Sequence, residues 1–413
     1  MPQLARRLRT GDAVFIGLGS MIGAGVFAAF TPAAQAAGAG LLVGLLVAAI
    51  VAACNALASA QLAATYPVSG GTYVYGREVL GPWWGYLAGF TFVIGKIASC
   101  AAMALVFASY AAPAGWERPL AIAAVVLLGG VNYLGVTRTA LVARVLVVLV
   151  LAALAVAVAG AASSGLPSLD GISGDLLSHG PYGVLQSAGL LFFAFAGYAR
   201  IATMGEEVVD APRTIPRAIV IALSVTVLLY LVVGLALLGS LGADGLAASA
   251  APVRDAAVAG GWLWAAPVVT VGAALASLGA LLGLIAGGSR TVLAMARERD
   301  LPGWLAAVHP RFAVPHRAEV VVSIIVIALV ATLDVRSAIG FSSFGVLLYY
   351  FIANASALRQ GAPNRRYPRG LFVLGTMGCA VLVATLPWPS IVGGLVVIAV
   401  GVGYRAVRVR VRG

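Results

Sequence analysis

The sequence predicts an all-α polytopic membrane protein with twelve membrane-spanning helices. Three observations carry that prediction. The 413 residues are 62% hydrophobic and only 10% charged, against roughly a quarter charged in soluble domains. Apolar runs of about 20 residues, enough to cross a bilayer as a helix, recur from end to end. Most of the charges fall in short segments between those runs.

Splitting the chain at charges and Pro/Gly clusters places the spans near 12–31, 40–64, 84–111, 119–135, 142–162, 183–208, 217–240, 262–288, 318–334, 337–358, 370–387 and 389–406. The first follows Arg6, Arg7 and Arg9, with Ala34-Gln35-Ala36 downstream. That start mimics a cleaved leader. The many later spans favour a retained span whose basic end sets its orientation. The longest polar segment, Arg290 to Arg317, is expected to extend the eighth helix and then form a short interfacial helix. The turn Leu386-Pro387-Trp388-Pro389 joins the last two spans. No loop is long enough for a soluble domain, so residues 1–413 read as one transmembrane domain.

An even number of spans puts both termini on one side. With the termini cytoplasmic, about 21 basic residues lie inside and about 3 outside, namely Arg118, Arg254 and Arg336. This is the asymmetry of the positive-inside rule. It accounts for the net charge of +12 without nucleic acid as a partner. The expected location is the cell membrane, with the lipid bilayer as the surrounding phase.

The first span contains GLGSMIGAGVF, with Gly17, Gly19, Gly23 and Gly25. Each glycine weakens a helix by about 1 kcal/mol relative to alanine. The spacing is one residue too long for a dinucleotide fingerprint, and no strand precedes it. Gly19-x-x-x-Gly23 also fits close helix packing. The sharper reading is a broken helix, which a bilayer tolerates only where the freed backbone faces a cavity or a ligand. The start of the second half-helix offers N–H groups and a positive dipole end to an anion. The carbonyls of the first half offer acceptors to a cation. A zwitterionic amino acid carries both charges.

A broken span predicts a counterpart in a second repeat. The sixth span supplies LFFAFAGYARIATMGEEV, with Gly197 in its middle. The spacing fits two inverted repeats of five spans, about 12–162 and 183–358, followed by two extra spans over 370–406.

These stretches carry a resemblance. GLGSMIGAGVF is similar to the first-helix motif of the amino acid–polyamine–organocation (APC) permeases. YPVSGGTYVYGREVLGP, FFAFAGYARIATMGEEVVDAPRTIPRAI and SRTVLAMARERDLP follow in that family's order, so the resemblance covers essentially the whole chain. It implies a secondary transporter with a LeuT-like 5+5 inverted repeat, working by alternating access. Carried onto this sequence, it implies a substrate carboxylate held by the backbone of Met21, Ile22, Gly23, Ala24 and Gly25. The amino group falls to carbonyls from Ile16 to Gly19, adjoining Ser20, and to those of Phe193, Ala194 and Ala196 beside Gly197. Tyr198, or an aromatic near it, would help close the pocket. Plain packing is the alternative role for the side chains of Phe192, Phe193 and Phe195.

Lys96 is the sole lysine and lies mid-span in FVIGKIASCAAM. A charge at the bilayer centre costs at least about 2.5 kcal/mol on insertion scales, and a lysine there is suited to gain and lose a proton. Proton-coupled members of the resembled family often carry a lysine in the fifth span. The matching position here is about Val150. Lys96 is therefore the candidate for proton coupling; a lysine facing a wet vestibule without a task is the alternative. Gln61 stands where related sequences often carry glutamate. Arg200 either faces the cytoplasmic vestibule or pairs with Glu206 or Glu207. No carboxylate lies deep in a span, which favours neutral or anionic amino acids over arginine, lysine and polyamines. Ser277 could ligate sodium, although a lone serine usually packs between helices.

Other classes find less support. The three cysteines, Cys54, Cys100 and Cys379, sit in apolar runs and read as core residues. The histidines, His179, His309 and His316, are all expected in loops, and no metalloprotease or serine-hydrolase motif occurs. No cofactor or metal is expected. No span shows the polar stripe of a channel. A transporter-like sensor without turnover stays open as the alternative. Symport, exchange and uniport also stay open.

Overall fold

The computed structural model describes residues 8–66, 70–135, 140–163, 176–202, 204, 208–361 and 365–410. Among them the backbone is helices and short loops, with one isolated β-bridge between Leu8 and Val208.

Helix α1 covers Thr10–Met21. The Asp12 carboxylate accepts the Arg9 N–H at 3.0 Å, which satisfies a backbone donor at the helix start. Helix α2 covers Ala24–Ala28 and α3 covers Phe30–Ala37. Ala29 between them keeps right-handed helical angles, and the Ala33 N–H donates to its carbonyl, so the two continue with little interruption. Helix α4, Leu41–Thr65, follows a short 3-10 turn.

Helix α5, Thr72–Leu80, is short, and α6, Pro82–Ala111, is the long third span. Gly81 joins them at φ +105°, a backbone region that only glycine enters without strain. Pro82 then opens α6 at a position where its missing N–H costs nothing. The Gly-Pro pair in the second resembled stretch is thus a helix boundary written in sequence.

Helix α7 covers Glu117–Tyr133 and α8 covers Ala140–Ala162. Helix α9, Gly180–Phe195, runs into a 3-10 turn over Ala196–Tyr198 and the short α10, Ala199–Ala202. Helix α11, Ala211–Ala248, bends at Gly242. Helix α12 covers Pro252–Ala259 and α13 covers Ala265–Arg297. A 3-10 turn at Gly303–Ala306 precedes α14, His316–Thr332. Helices α15, Val335–Arg359, α16, Arg369–Thr385, and α17, Trp388–Arg410, complete the chain.

Among the described residues, eight segments are long and apolar enough to cross a membrane: Thr10–Ala28, Phe30–Thr65, Pro82–Ala111, Val142–Ala162, Ala211–Ala248, Ala265–Arg297, Val335–Arg359 and Trp388–Arg410. The other four expected spans fall on helices of 16 or 17 residues, α7, α9, α14 and α16. Span six is short because its helix stops at Phe195 rather than running on to 208. Span one starts and ends two to three residues earlier than its apolar run. Span eight does extend, to Arg297, and a 3-10 turn replaces the expected interfacial helix. Helices α5 and α12 lie between apolar runs and were not expected. His316 opens a helix instead of sitting in a loop.

Helix α6 is central. It packs against α5, α7, α13, α14 and α15 and touches α2. In its most apolar stretch 72% is buried, against 22% for α17 at the periphery. Outward faces such as Leu395, Val396 and Val400 on α17 remain exposed, as a lipid-facing helix requires.

Candidate functional site between two helix breaks

The first break lies where the glycine stretch placed it. Ile22 (φ −81°, ψ 47°) and Gly23 (φ −92°, ψ −147°) leave helical geometry between α1 and α2. The Met21 carbonyl ends one half-helix, and Ala24 and Gly25 begin the next, where N–H groups lack an intrahelical acceptor. The second break is the 3-10 turn Ala196–Tyr198 after α9.

The two breaks touch through backbone. A Cβ built on Gly197 would collide with the Ser20 carbonyl and lie 2.5 Å from the Met21 nitrogen. A Cβ on Gly25 would lie 2.7 Å from the Ala194 Cα. Glycine at both positions is a steric requirement of this approach. Gly23 faces a third helix, with the Ala280 Cβ of α13 3.2 Å from where its own Cβ would stand. Gly19 meets Val147 of α8.

One residue that sequence reasoning missed joins both breaks. The Tyr230 hydroxyl of α11 lies 2.6 Å from the Met21 carbonyl and 3.1 Å from the Ala194 carbonyl. Its ring packs on Phe30 and Phe195. Nothing in the apolar seventh span marks it except a tyrosine among aliphatics. Tyr110, near the end of α6, makes a parallel link. Its hydroxyl donates to the Phe27 carbonyl at 2.9 Å and accepts from the Val253 N–H of α12 at 3.3 Å.

The remaining predicted residues are distributed as follows. Ile16 and Ser20 are partly or fully accessible on α1, and the Ser20 hydroxyl bonds the Ile16 carbonyl at 2.9 Å. Phe192, Phe193 and Phe195 are buried, so their rings pack the core and do not face lipid. Tyr198 is fully buried and stacks on Tyr350 of α15 at 5.0 Å. The side chain of Ala24 and residues Glu206 and Glu207 lie outside the described residues; Arg200 is exposed. Ser277 is buried on α13 with no hydrogen-bond partner among the described residues.

Lys96 is not drawn against either break. Its Nζ lies 5.3 Å from the Phe92 ring centroid, and its Cβ lies beside Gly288 of α13. Gly288 is eight residues beyond Ala280, about 12 Å along a helix. No acidic side chain or hydrogen bond meets Lys96 among the described residues. Val150 is buried in α8. Gln61 has a structural task. Its Nε2 donates to Gln360 Oε1 at 2.7 Å, and its Oε1 accepts the Arg366 N–H at 2.9 Å, tying α4 to the end of α15 and the loop beyond.

A second polar centre lies near the start of α6. Asp300, 6% exposed, pairs with Arg405 of α17 and with Arg77 of α5 at 3.2 Å. The Tyr73 hydroxyl donates to it at 2.8 Å. Burial first, and then the adjoining carboxylate, push that hydroxyl well above its ordinary titration range, so it stays a donor. The Arg405 guanidinium stacks over Trp83 and Tyr86, 5.0 and 4.5 Å from their centroids.

The pattern of the whole chain agrees with one family of known proteins. Residues 8–407 match the family described as amino acid permease. The chain belongs to the amino acid permease family. Of this permease's 413 residues, 406 align at 57% identity with an uncharacterized transporter of Mycobacterium tuberculosis, covering 98% of this chain and 92% of the relative. The permease is also 25% identical to the branched-chain amino acid permease BcaP of Bacillus subtilis, over 96% of this chain and 92% of that one. It is 26% identical to cationic amino acid transporter 6, chloroplastic, of Arabidopsis thaliana, over 95% of this chain and 72% of the relative.

Proposed function

We propose that this permease is a secondary transporter that moves neutral L-amino acids across the cell membrane by alternating access. The carrying observation is the backbone contact between the two breaks, spanned by the Tyr230 hydroxyl. At that contact, N–H groups at the start of α2 suit a carboxylate. Carbonyls at the ends of α1 and α9 suit an ammonium. The reading assigns substrate contact to backbone from Ile16 through Gly25 and from Phe193 through Tyr198.

The reading includes twelve spans, a 5+5 repeat and cytoplasmic termini. A cationic side chain would need a counter-charge, and no acidic residue accompanies the break residues among the described residues. This favours neutral substrates, in line with what the Bacillus relative is named for and against the Arabidopsis relative's named class. Lys96 is the proposed proton-exchanging group, since no carboxylate fixes its charge.

The test is uptake by purified protein in proteoliposomes. Labelled neutral amino acids should enter saturably, with unlabelled substrate inside accelerating entry. Binding without entry would support the sensor reading instead. Linear, unsaturable flux would support a channel.

A further inference from the structure

Next to the second break lies a group of buried polar side chains, from α4, α15 and α16, that the site above does not use. Asn55 of α4 and Asn354 of α15 are fully buried, as are Tyr198 and Cys379 of α16. Asn354 Nδ2 donates to Asn55 Oδ1 at 2.6 Å and to the Tyr350 carbonyl at 2.9 Å. The Cys379 thiol donates to the same Asn55 oxygen at 3.3 Å. Gly375 of α16 makes room for this arrangement, because a Cβ there would collide with the Asn354 amide.

Two bonds to one oxygen fix the direction of the Asn55 amide. Its oxygen faces α15 and α16, so its NH₂ group faces the other way. There it faces the Tyr198 hydroxyl. Neither Asn55 Nδ2 nor the Tyr198 hydroxyl has a partner at full hydrogen-bond geometry among the described residues; the two adjoin each other, with the Tyr350 hydroxyl also beside Tyr198. A buried donor and a buried acceptor held just apart are costly, and a small approach of the two satisfies both.

We propose that Asn55 is a positioning residue for the second break, closing an N–H···O bond to Tyr198 with and without substrate. Through the Tyr198 ring, stacked on Tyr350, that bond sets where the 3-10 turn and the carbonyl end of α9 lie. Asn354 and Cys379 orient the amide, so α4, α15 and α16 together hold the turn. The inference rests on the transport reading only for its uptake arm; the positioning itself is testable without substrate.

The experiment compares Asn55→Ala, Tyr198→Phe and the double variant. Tyr198→Phe keeps the stacked ring and removes only the hydroxyl, so it should fold. Two readouts are taken. Amide hydrogen exchange over residues 193–202, in protein without ligand, should rise in each single variant and no further in the double. In proteoliposomes each variant should raise KM several-fold with a smaller change in maximal rate, again without addition in the double. Additive effects, or a lowered melting temperature with unchanged exchange at the turn and unchanged KM, would overturn the proposal. If the unmodified protein takes up no amino acid, the transport reading fails, and the exchange arm still decides the positioning role.

Discussion

At the residue scale the sharpest constraints are small. Gly197→Ala and Gly25→Ala each force a methyl into the facing break, so both should abolish saturable uptake while Gly11→Ala, which meets nothing within 4 Å, leaves uptake intact. Measured side by side, the three separate steric need from glycine composition. Tyr230→Phe removes the hydroxyl shared by the Met21 and Ala194 carbonyls. One lost hydrogen bond is worth about 1 kcal/mol, so KM should rise about fivefold with little loss of protein. Lys96→Gln should flatten the pH dependence of uptake across a set pH gradient; an unchanged profile would sink the coupling role. Glycines were legible in the sequence because only they combine small size with backbone freedom. Tyr230 and Asn55 were not, because their partners lie far away in the chain.

At the element scale the two breaks behave as one unit. Neither half-helix of span one is tied to its own continuation at Ile22 and Gly23. They are held instead by α9, α11 and α13. The expected break at Gly23 and the expected break at Gly197 both occur, within a residue or two of where glycine clustering put them. What the apolar runs did not disclose was helix length. An apolar run states what is buried in lipid, not where hydrogen bonding stops, so span six was read through to 208 although its helix closes at Phe195. Short helices such as α5 and α12 were invisible for the opposite reason: they carry too little apolar pattern to stand out. Hydrogen exchange by mass spectrometry should show rapid exchange over residues 20–25 and 195–199 against protected flanks in α4 and α6.

At the scale of the whole molecule, Asp300 fastens the last helix to the rest. Its carboxylate meets Arg405, Arg77 and Tyr73 from α17 and α5. Removing one partner of a buried pair strands the other charge and costs about 3 kcal/mol. Asp300→Asn should therefore lower the melting temperature in detergent by several degrees, and Asp300→Asn with Arg405→Leu should recover part of it. The basic residues behind the expected cytoplasmic termini were plain in composition. The pairing of Arg405 with Asp300 was not, since 105 residues separate them.

The three cysteines have a practical consequence. All are buried, and Cys379 lies on the seam where α16 meets α4 and α15. A small membrane-permeant thiol reagent will modify Cys379 only when that seam parts. The wild-type chain thus carries a native clock for helix separation, read as a labelling rate with no engineered probe.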